Sequence, residues 1–171
     1  MKLSAIVIAG SLLFAAGASA QDVNDAQIAS IVVTANQVDI DAGKLAARKA
    51  SHADVKKFAQ TMVTDHMGVN KQAKDLVAKL KVTPEANPTS KSLADGGQTN
   101  VTSLKTLTGK AFDKAYIDHE VAYHTAVLEA VDKTLIPGAK NEELKALLVK
   151  VRPAFVAHLD HAKMIQAALG T

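Results

Sequence analysis

Apolar residues recur three and four positions apart along four long stretches of this chain, which is the spacing of an α-helix with one buried face. The predicted helices run from about residue 24 to 50, 51 to 80, 110 to 135 and 141 to 169. Ser51-x-x-Asp54 predicts a capping box at the start of the second helix, and Asn141 predicts the cap of the fourth. Pro137-Gly138 predicts the end of the third helix, and Pro153 predicts a kink within the fourth.

The segment between the second and third predicted helices, residues 82–98, contains Pro84, Pro88 and Gly96-Gly97 and predicts a polar connection. A short helix is expected after it, at residues 101–107. Helices of about 26 residues are roughly 40 Å long, and two hairpins of such helices with a long crossover make a four-helix bundle. The predicted fold class is therefore all-α: a ferritin-like four-helix bundle with a long crossover connection that carries a short extra helix.

The composition indicates the class of protein but not its function. The chain has 171 residues, of which 48% are hydrophobic, with no Cys and no Trp, which indicates one packed domain and excludes a disulfide scaffold. The net charge of +3 is small and its residues are scattered, so we expect no nucleic-acid partner. There is no Cys nucleophile, glycine-rich phosphate loop or nucleophile-elbow motif, so the sequence gives no basis for claiming catalysis.

The first twenty residues have the pattern of a secretory signal peptide. Met1-Lys2 is a short positive start, residues 3–17 are an apolar run, and Ala18-Ser19-Ala20 is a small-x-small cleavage site. We therefore expect residues 1–20 to be removed and residues 21–171 to form the bundle domain. No stretch of the mature chain is expected to span a membrane. For a bacterial chain this predicts a periplasmic location.

Each predicted apolar helix face is interrupted once by an ionisable residue. Asp39, His66, His124 and His158 each lie three or four positions from apolar residues of the same face, one on each helix, and Glu120 lies one turn before His124. Because burying an unpaired charge costs several kcal/mol, we expect these side chains to find partners near the middle of the bundle. Counted from the predicted turn, the heights of His124 and His158 along the bundle axis differ by roughly 9 Å. The sequence therefore does not decide whether the five residues share one layer.

Three imidazoles with one or two carboxylates predict a metal site, and this donor set suits zinc, iron, copper or manganese. The predicted ligands are His66, His124 and His158, with Asp39 or Glu120 as the carboxylate. The alternative is a metal-free hydrogen-bonded network that fixes the register of the helices. A di-iron site of the usual kind needs two Glu-x-x-His pairs, which this chain lacks.

Other polar residues near this cluster are interpreted as peripheral. Asp65 points away from the face that carries the adjacent His66 and is expected to be solvated. His52 and His119 are expected at the surface. His161, one turn beyond the predicted ligand on the fourth helix, is a weaker candidate, considered only as an outer-sphere or alternative ligand.

Four stretches of the chain carry a family resemblance. They are Asn36-x-x-Asp39-Ile40-x-x-Gly43-x-Leu45-Ala46, Val55-Lys56-x-Phe58-Ala59-x-x-Met62-Val63-x-Asp65-His66, Ala111-Phe112-Asp113-x-x-Tyr116 followed by His124, and Pro153-x-x-x-x-His158-Leu159-x-x-Ala162. Together they resemble the domain-of-unknown-function 4142 family, whose members are small, exported, bacterial, ferritin-like bundles, sometimes labelled as outer membrane proteins. The resemblance covers nearly all of the mature chain. It implies a ferritin-like fold and a periplasmic location, and it adds weight to His66, His124 and His158. The family usually has Glu where this chain has Asp39.

Two functions fit these features. The first is an exported bundle that binds a transition metal in its core and acts in metal handling or envelope stress. The second is a metal-free periplasmic interaction or stress protein in which the His/Asp cluster is a structural polar network. The sequence identifies neither the metal nor a protein partner.

Overall fold

The computed structural model describes residues 23–170, and within that range the chain is almost entirely helical and contains no strand. The five helices are α1 (Asp25–Lys49), α2 (Ala53–Leu80), α3 (Pro88–Thr106), α4 (Gly109–Ala130) and α5 (Glu142–Leu169). Helix α4 continues through a π-helical turn, Val131–Leu135, and a last short segment, Ile136–Gly138. The all-α prediction is confirmed. The predicted signal peptide, residues 1–20, lies outside the described residues.

Helices α1 and α2 pack against each other as one hairpin, and α4 packs against α5 as the other. Helix α3 lies along α1, and α2 contacts α5 across the bundle. This arrangement agrees with the predicted four-helix bundle and its long crossover. None of the helices in residues 23–170 is both long and apolar enough to cross a membrane. Helix α5 is continuous through Pro153, where a kink stays a prediction.

The bundle core is divided into two apolar clusters. The first apolar cluster includes Ile28, Val69, Val131 and Leu148, and the second includes Ala46, Phe58, Phe112 and Ile165. Along α1, α2, α4 and α5 the chain passes from one cluster to the other across a buried ionisable residue. We call these residues the polar layer: they are Asp39, His66, Glu120, His124 and His158.

The crossover differs from the sequence prediction. The predicted extra helix of the crossover is present, but its bounds are wrong, because α3 is one helix of 19 residues that runs through Gly96-Gly97. Only residues 82–87 of the predicted polar connection over residues 82–98 are non-helical. Asn87 caps α3, and Pro88 occupies its first turn, where a missing backbone N–H costs nothing. Gly97 is buried against Val38 of α1, where a Cβ atom would lie 2.6 Å from Val38 Cγ2. The glycine therefore permits close helix packing rather than a break.

The start of α2 also differs from the prediction. His52, not Ser51, is the cap, since its ring nitrogen Nδ1 accepts a hydrogen bond from the backbone N–H of Asp54 at 3.2 Å. Ser51 instead donates its hydroxyl and its backbone N–H to the buried carboxylate of Asp113 in α4. The same carboxylate accepts a bond from the backbone N–H of His52 at 2.9 Å. Asp113 thereby joins the turn of the first hairpin to the start of the second.

We expect Gly97→Ala to lower the free energy of unfolding by about 1–3 kcal/mol. The new Cβ would contact both methyl groups of Val38, whose β-branched side chain has one strongly preferred rotamer in a helix. Adding Val38→Ala to the same chain should recover most of the loss. Urea unfolding of the three proteins measures this.

Gly68→Ala is the matched control, because no atom lies within 4 Å of a Cβ placed there. Alanine at this helical position should stabilise the chain by roughly 0.5–1 kcal/mol. A similar gain for Gly97→Ala would contradict the close packing of α3 on α1.

Candidate metal centre

The polar layer brings together all five predicted site residues from four helices. Asp39 lies on α1, His66 on α2, Glu120 and His124 on α4, and His158 on α5. Each is buried, the most exposed being His158 at 6%. The five residues therefore lie in one layer of the bundle. Their roles as ligands stay a prediction.

In each of two overlapping groups, three residues lie close enough together to hold one metal ion. In the first group, His66, His124 and His158 each place one possible ligand atom within 4.8 Å of the other two. Asp39, Glu120 and His124 do the same in the second group. His124 belongs to both groups, so the two carboxylates adjoin the three imidazoles. Asp39 Oδ2 lies 3.4 Å from His66 Nε2, so the aspartate side chain reaches the cluster even though it is shorter than glutamate.

His66 is held by an amide that the sequence prediction missed. Its Nδ1 lies 2.7 Å from Oδ1 of the buried Asn36, one turn before Asp39 on α1. Because the Asn36 amide nitrogen donates to the Val32 carbonyl at 2.7 Å, the Asn36 oxygen faces the ring and accepts its Nδ1 proton. The lone pair of the neutral ring is then on Nε2, which is buried and has no hydrogen-bond partner in the described chain.

The other two imidazoles are held in the same way, with one ring nitrogen hydrogen-bonded and the other without a partner. His124 Nδ1 donates to the backbone carbonyl of Glu120 at 3.1 Å, and His158 Nε2 donates to the carboxylate of Asp65 at 2.9 Å. The second ring nitrogen of each, His124 Nε2 and His158 Nδ1, is buried without a partner within residues 23–170. Metal-binding histidines in proteins are typically held this way, with one nitrogen bonded to an outer acceptor and the other directed to the ion.

Three peripheral predictions need correction or refinement. Asp65 is half exposed as expected, but it is the bonding partner of His158 rather than a solvated charge. His119 is partly buried, with its ring stacked on Tyr123 at 5.7 Å, and is not a surface residue. His161 is exposed and contacts the edge of Phe58, so it does not join the polar layer.

Comparison with known proteins identifies the family. Residues 12–165 match the family model described as Domain of unknown function (DUF4142). The chain belongs to the DUF4142 family. No curated protein and no solved structure matches it. The resemblance predicted from the sequence is confirmed, and the chemistry of this DUF4142 protein has to be argued from its own residues.

Burial and the charges of neighbouring groups shift the pKa values of the two carboxyl groups of the layer. Burial and the nearby Glu120 raise the pKa of Asp39 well above its usual value. Burial acts the same way on Glu120, but the adjacent His124, whose Nδ1 lies 3.4 Å from the carboxylate, outweighs it, and the pKa of Glu120 is lowered. Of the two neighbouring carboxyls, Glu120 is therefore the more acidic and ionises first.

The pKa values of the three imidazoles are also shifted in different directions. Burial alone would lower the pKa of His124, but the carboxylates of Asp39 and Glu120 raise it to about 9. Burial, then the charges of His124 and His158, lower the pKa of His66 well below its usual value. The pKa of His158 is lowered mainly by burial, which the bond to Asp65 partly offsets. At pH 7 the layer thus contains a cation, His124, beside the anionic Glu120.

The donor set fits a divalent first-row transition metal ion. Neutral imidazole nitrogens with one or two carboxylate oxygens suit zinc, iron, copper and manganese. Deprotonation of Asp39 and His124 would leave two carboxylates and three neutral imidazoles, whose charge of about −2 balances a divalent ion. With a divalent ion bound, the layer would therefore be electrically neutral, which lowers the cost of placing the ion in a buried site.

In the metal-free protein we expect His124 to titrate with a pKa of about 9, well above the 6.5 of an ordinary histidine. Because the folded-state pKa is the higher one, its protonated ring stabilises the fold below about pH 6.5, and this contribution is lost as the pH rises through 9. The difference in free energy of unfolding between the natural chain and His124→Gln should shrink by about 3 kcal/mol between pH 6.5 and 10. Histidine NMR titration and urea unfolding measure the two effects.

His161→Gln is the control, since this exposed ring lies outside the layer. Its effect on stability should stay constant over the same pH range. A constant effect for His124→Gln as well would show that its ring is not paired with the buried carboxyls.

Proposed function

We propose that this DUF4142 protein is exported and binds one divalent first-row transition metal ion in its polar layer. His66, His124 and His158 supply the nitrogen ligands, and Asp39 and Glu120 supply carboxylate oxygens. The protein then handles that metal, or oxidants that react with it, in the bacterial envelope. The N-terminal pattern of residues 1–20 supports export to the periplasm.

One observation carries the metal-binding proposal: three buried imidazoles lie close together, and each has one ring nitrogen without a hydrogen-bond partner among the described residues. The unpartnered nitrogens are His66 Nε2, His124 Nε2 and His158 Nδ1, each on a ring whose other nitrogen is bonded to an outer acceptor. Histidines held in this way direct the second nitrogen to an ion, once His124 has lost its extra proton.

A purely structural network fits these contacts less well. Buried polar networks stabilise a fold when their members satisfy one another, and an unpaired buried group costs about 1–3 kcal/mol. Here neither carboxylate oxygen of Glu120 has a hydrogen-bond partner among the described residues, although Oε2 forms an ion pair with His124 Nδ1 at 3.4 Å. A bound ion would satisfy the imidazoles and the carboxylate together.

We expect about one metal ion per chain in protein purified without an affinity tag from its native compartment. Element analysis by mass spectrometry measures the content, and the intact mass of the same sample reports whether the chain begins at Gln21. The double variant His66→Ala, His158→Ala should contain no stoichiometric metal, because it removes two of the three imidazole ligands.

The matched control is His52→Ala, His161→Ala, which also removes two histidines but leaves the polar layer intact. It should keep the metal content of the natural chain. If the natural chain contains no metal and recovers none when zinc, iron, copper or manganese is added to it, the metal proposal fails and the structural network becomes the better interpretation.

Metal binding at pH 7 should release about one proton per ion from His124, because its pKa of about 9 keeps the ring protonated in the metal-free layer. The pKa of Asp39 is also raised, so its carboxyl can only add to this number. Zinc titration by calorimetry in buffers of different ionisation enthalpy measures the number. His124→Gln should reduce it by about one, and the affinity of the natural chain should strengthen as pH rises.

Release of almost no protons would contradict the assignment of these two residues as ligands. Zinc held adventitiously by exposed carboxylates gives that result, because such groups are already ionised at pH 7.

A further inference from the structure

A small cavity lies directly beside the polar layer, on the side of the first apolar cluster. Its volume is about 40 Å³, and its wall includes Asp39 and His66. The rest of the wall comes from α1, α3, α4 and α5, mainly from aliphatic side chains such as Ile31, Val131 and Leu148. Two of the proposed metal ligands therefore border a partly open space that is lined mainly by apolar side chains.

Apart from Asp39 and His66, the wall offers little hydrogen bonding to water. The amide of Asn36 is used by His66 and the Val32 carbonyl. The hydroxyl of Tyr123 donates to the carbonyl of Ala35 at 3.0 Å. A buried water needs two to four polar partners, and apolar cavities bind apolar molecules instead. The available volume exceeds the roughly 10–15 Å³ that one water requires, so a diatomic molecule fits.

The backbone beside the cavity is irregular. The π-helical turn Val131–Leu135 interrupts the regular path of α4, and the side chains of both its end residues line the cavity. Single π-helical turns inside α-helices occur frequently at functional sites. The lining residues Ala35, Thr89 and Val127 are partly exposed, so the wall also approaches the surface.

We propose that this cavity binds a small uncharged diatomic molecule, of the class of dioxygen or nitric oxide, and holds it beside His66 and Asp39. The binding of an apolar molecule is a property of the cavity itself. Its delivery to a metal ion rests on the function proposed above. The aliphatic wall selects for an apolar molecule, and the volume limits its size.

Xenon is the first probe, applied to the metal-free chain. Xenon should shift the methyl NMR signals of Ile31, Val131 and Leu148, while Ile165 of the second apolar cluster should not respond. Val131→Leu extends a side chain of the cavity wall and should weaken xenon binding at least about tenfold. Val55→Leu makes the same change in the second cluster, at a position outside the cavity wall, and should leave xenon binding unchanged.

Nitric oxide is the second probe, applied to the iron(II)-loaded chain. Val131→Leu should slow its combination with iron at least about tenfold at equal iron content, and Val55→Leu should not. Stopped-flow absorbance and electron paramagnetic resonance measure the rate and the product. Val151→Leu, on another helix of the cavity wall, should reproduce the effect even if Val131→Leu folds poorly.

The outcomes separate this proposal from the metal proposal. Absence of xenon shifts around the cavity overturns it. Xenon binding with equal nitric oxide rates in all variants also overturns it, because the cavity would not supply the metal. If the natural chain binds no iron, the metal proposal has failed on its own, and the xenon titration decides whether the cavity binds an apolar molecule.

Discussion

Two carboxyl groups and three imidazoles have to be buried together in the middle of this bundle, and the rest of the structure is arranged around that constraint. An isolated buried charge would cost several kcal/mol, so the layer is stable only if its groups neutralise one another. The pair of Glu120 and His124 does so at neutral pH, while the raised pKa of Asp39 and the lowered pKa of His66 both favour the uncharged forms of these groups. The apolar clusters on either side exclude water from the layer and supply the stabilisation that it does not.

Such a layer forms only if two helical hairpins meet at one height. Asp113 ties the start of α4 to the turn between α1 and α2, at one end of the bundle. Tyr123 donates its hydroxyl to the Ala35 carbonyl, close to the layer itself. These contacts join residues more than sixty positions apart in the chain and fix the axial position of the second hairpin against the first. The ionisable side chains are thus aligned by hydrogen bonds that lie outside the layer.

Helical periodicity was enough to predict the four long helices and the five residues of the polar layer, because one ionisable residue interrupts each apolar face. It could not predict that they share a height. Helical structure continues to Gly138, beyond the predicted end at residue 135, which moves His124 further from the turn and closer to the height of His158. The π-helical turn was not predicted, because the spacing of apolar residues has no signal for it. Asn36 and Asp65 were missed because their roles depend on partners from other helices.

The glycine pair of α3 shows why a local rule fails when tertiary packing competes with it. Gly96-Gly97 is a poor helix sequence by propensity, yet the close contact with Val38 requires the missing side chain. Helix α3 thereby packs closely along α1, and Leu93 of α3 contributes to the wall of the cavity beside the polar layer. The crossover is therefore more than a connection, because it encloses one side of the apolar space next to His66. A bundle of four helices alone would leave that wall incomplete.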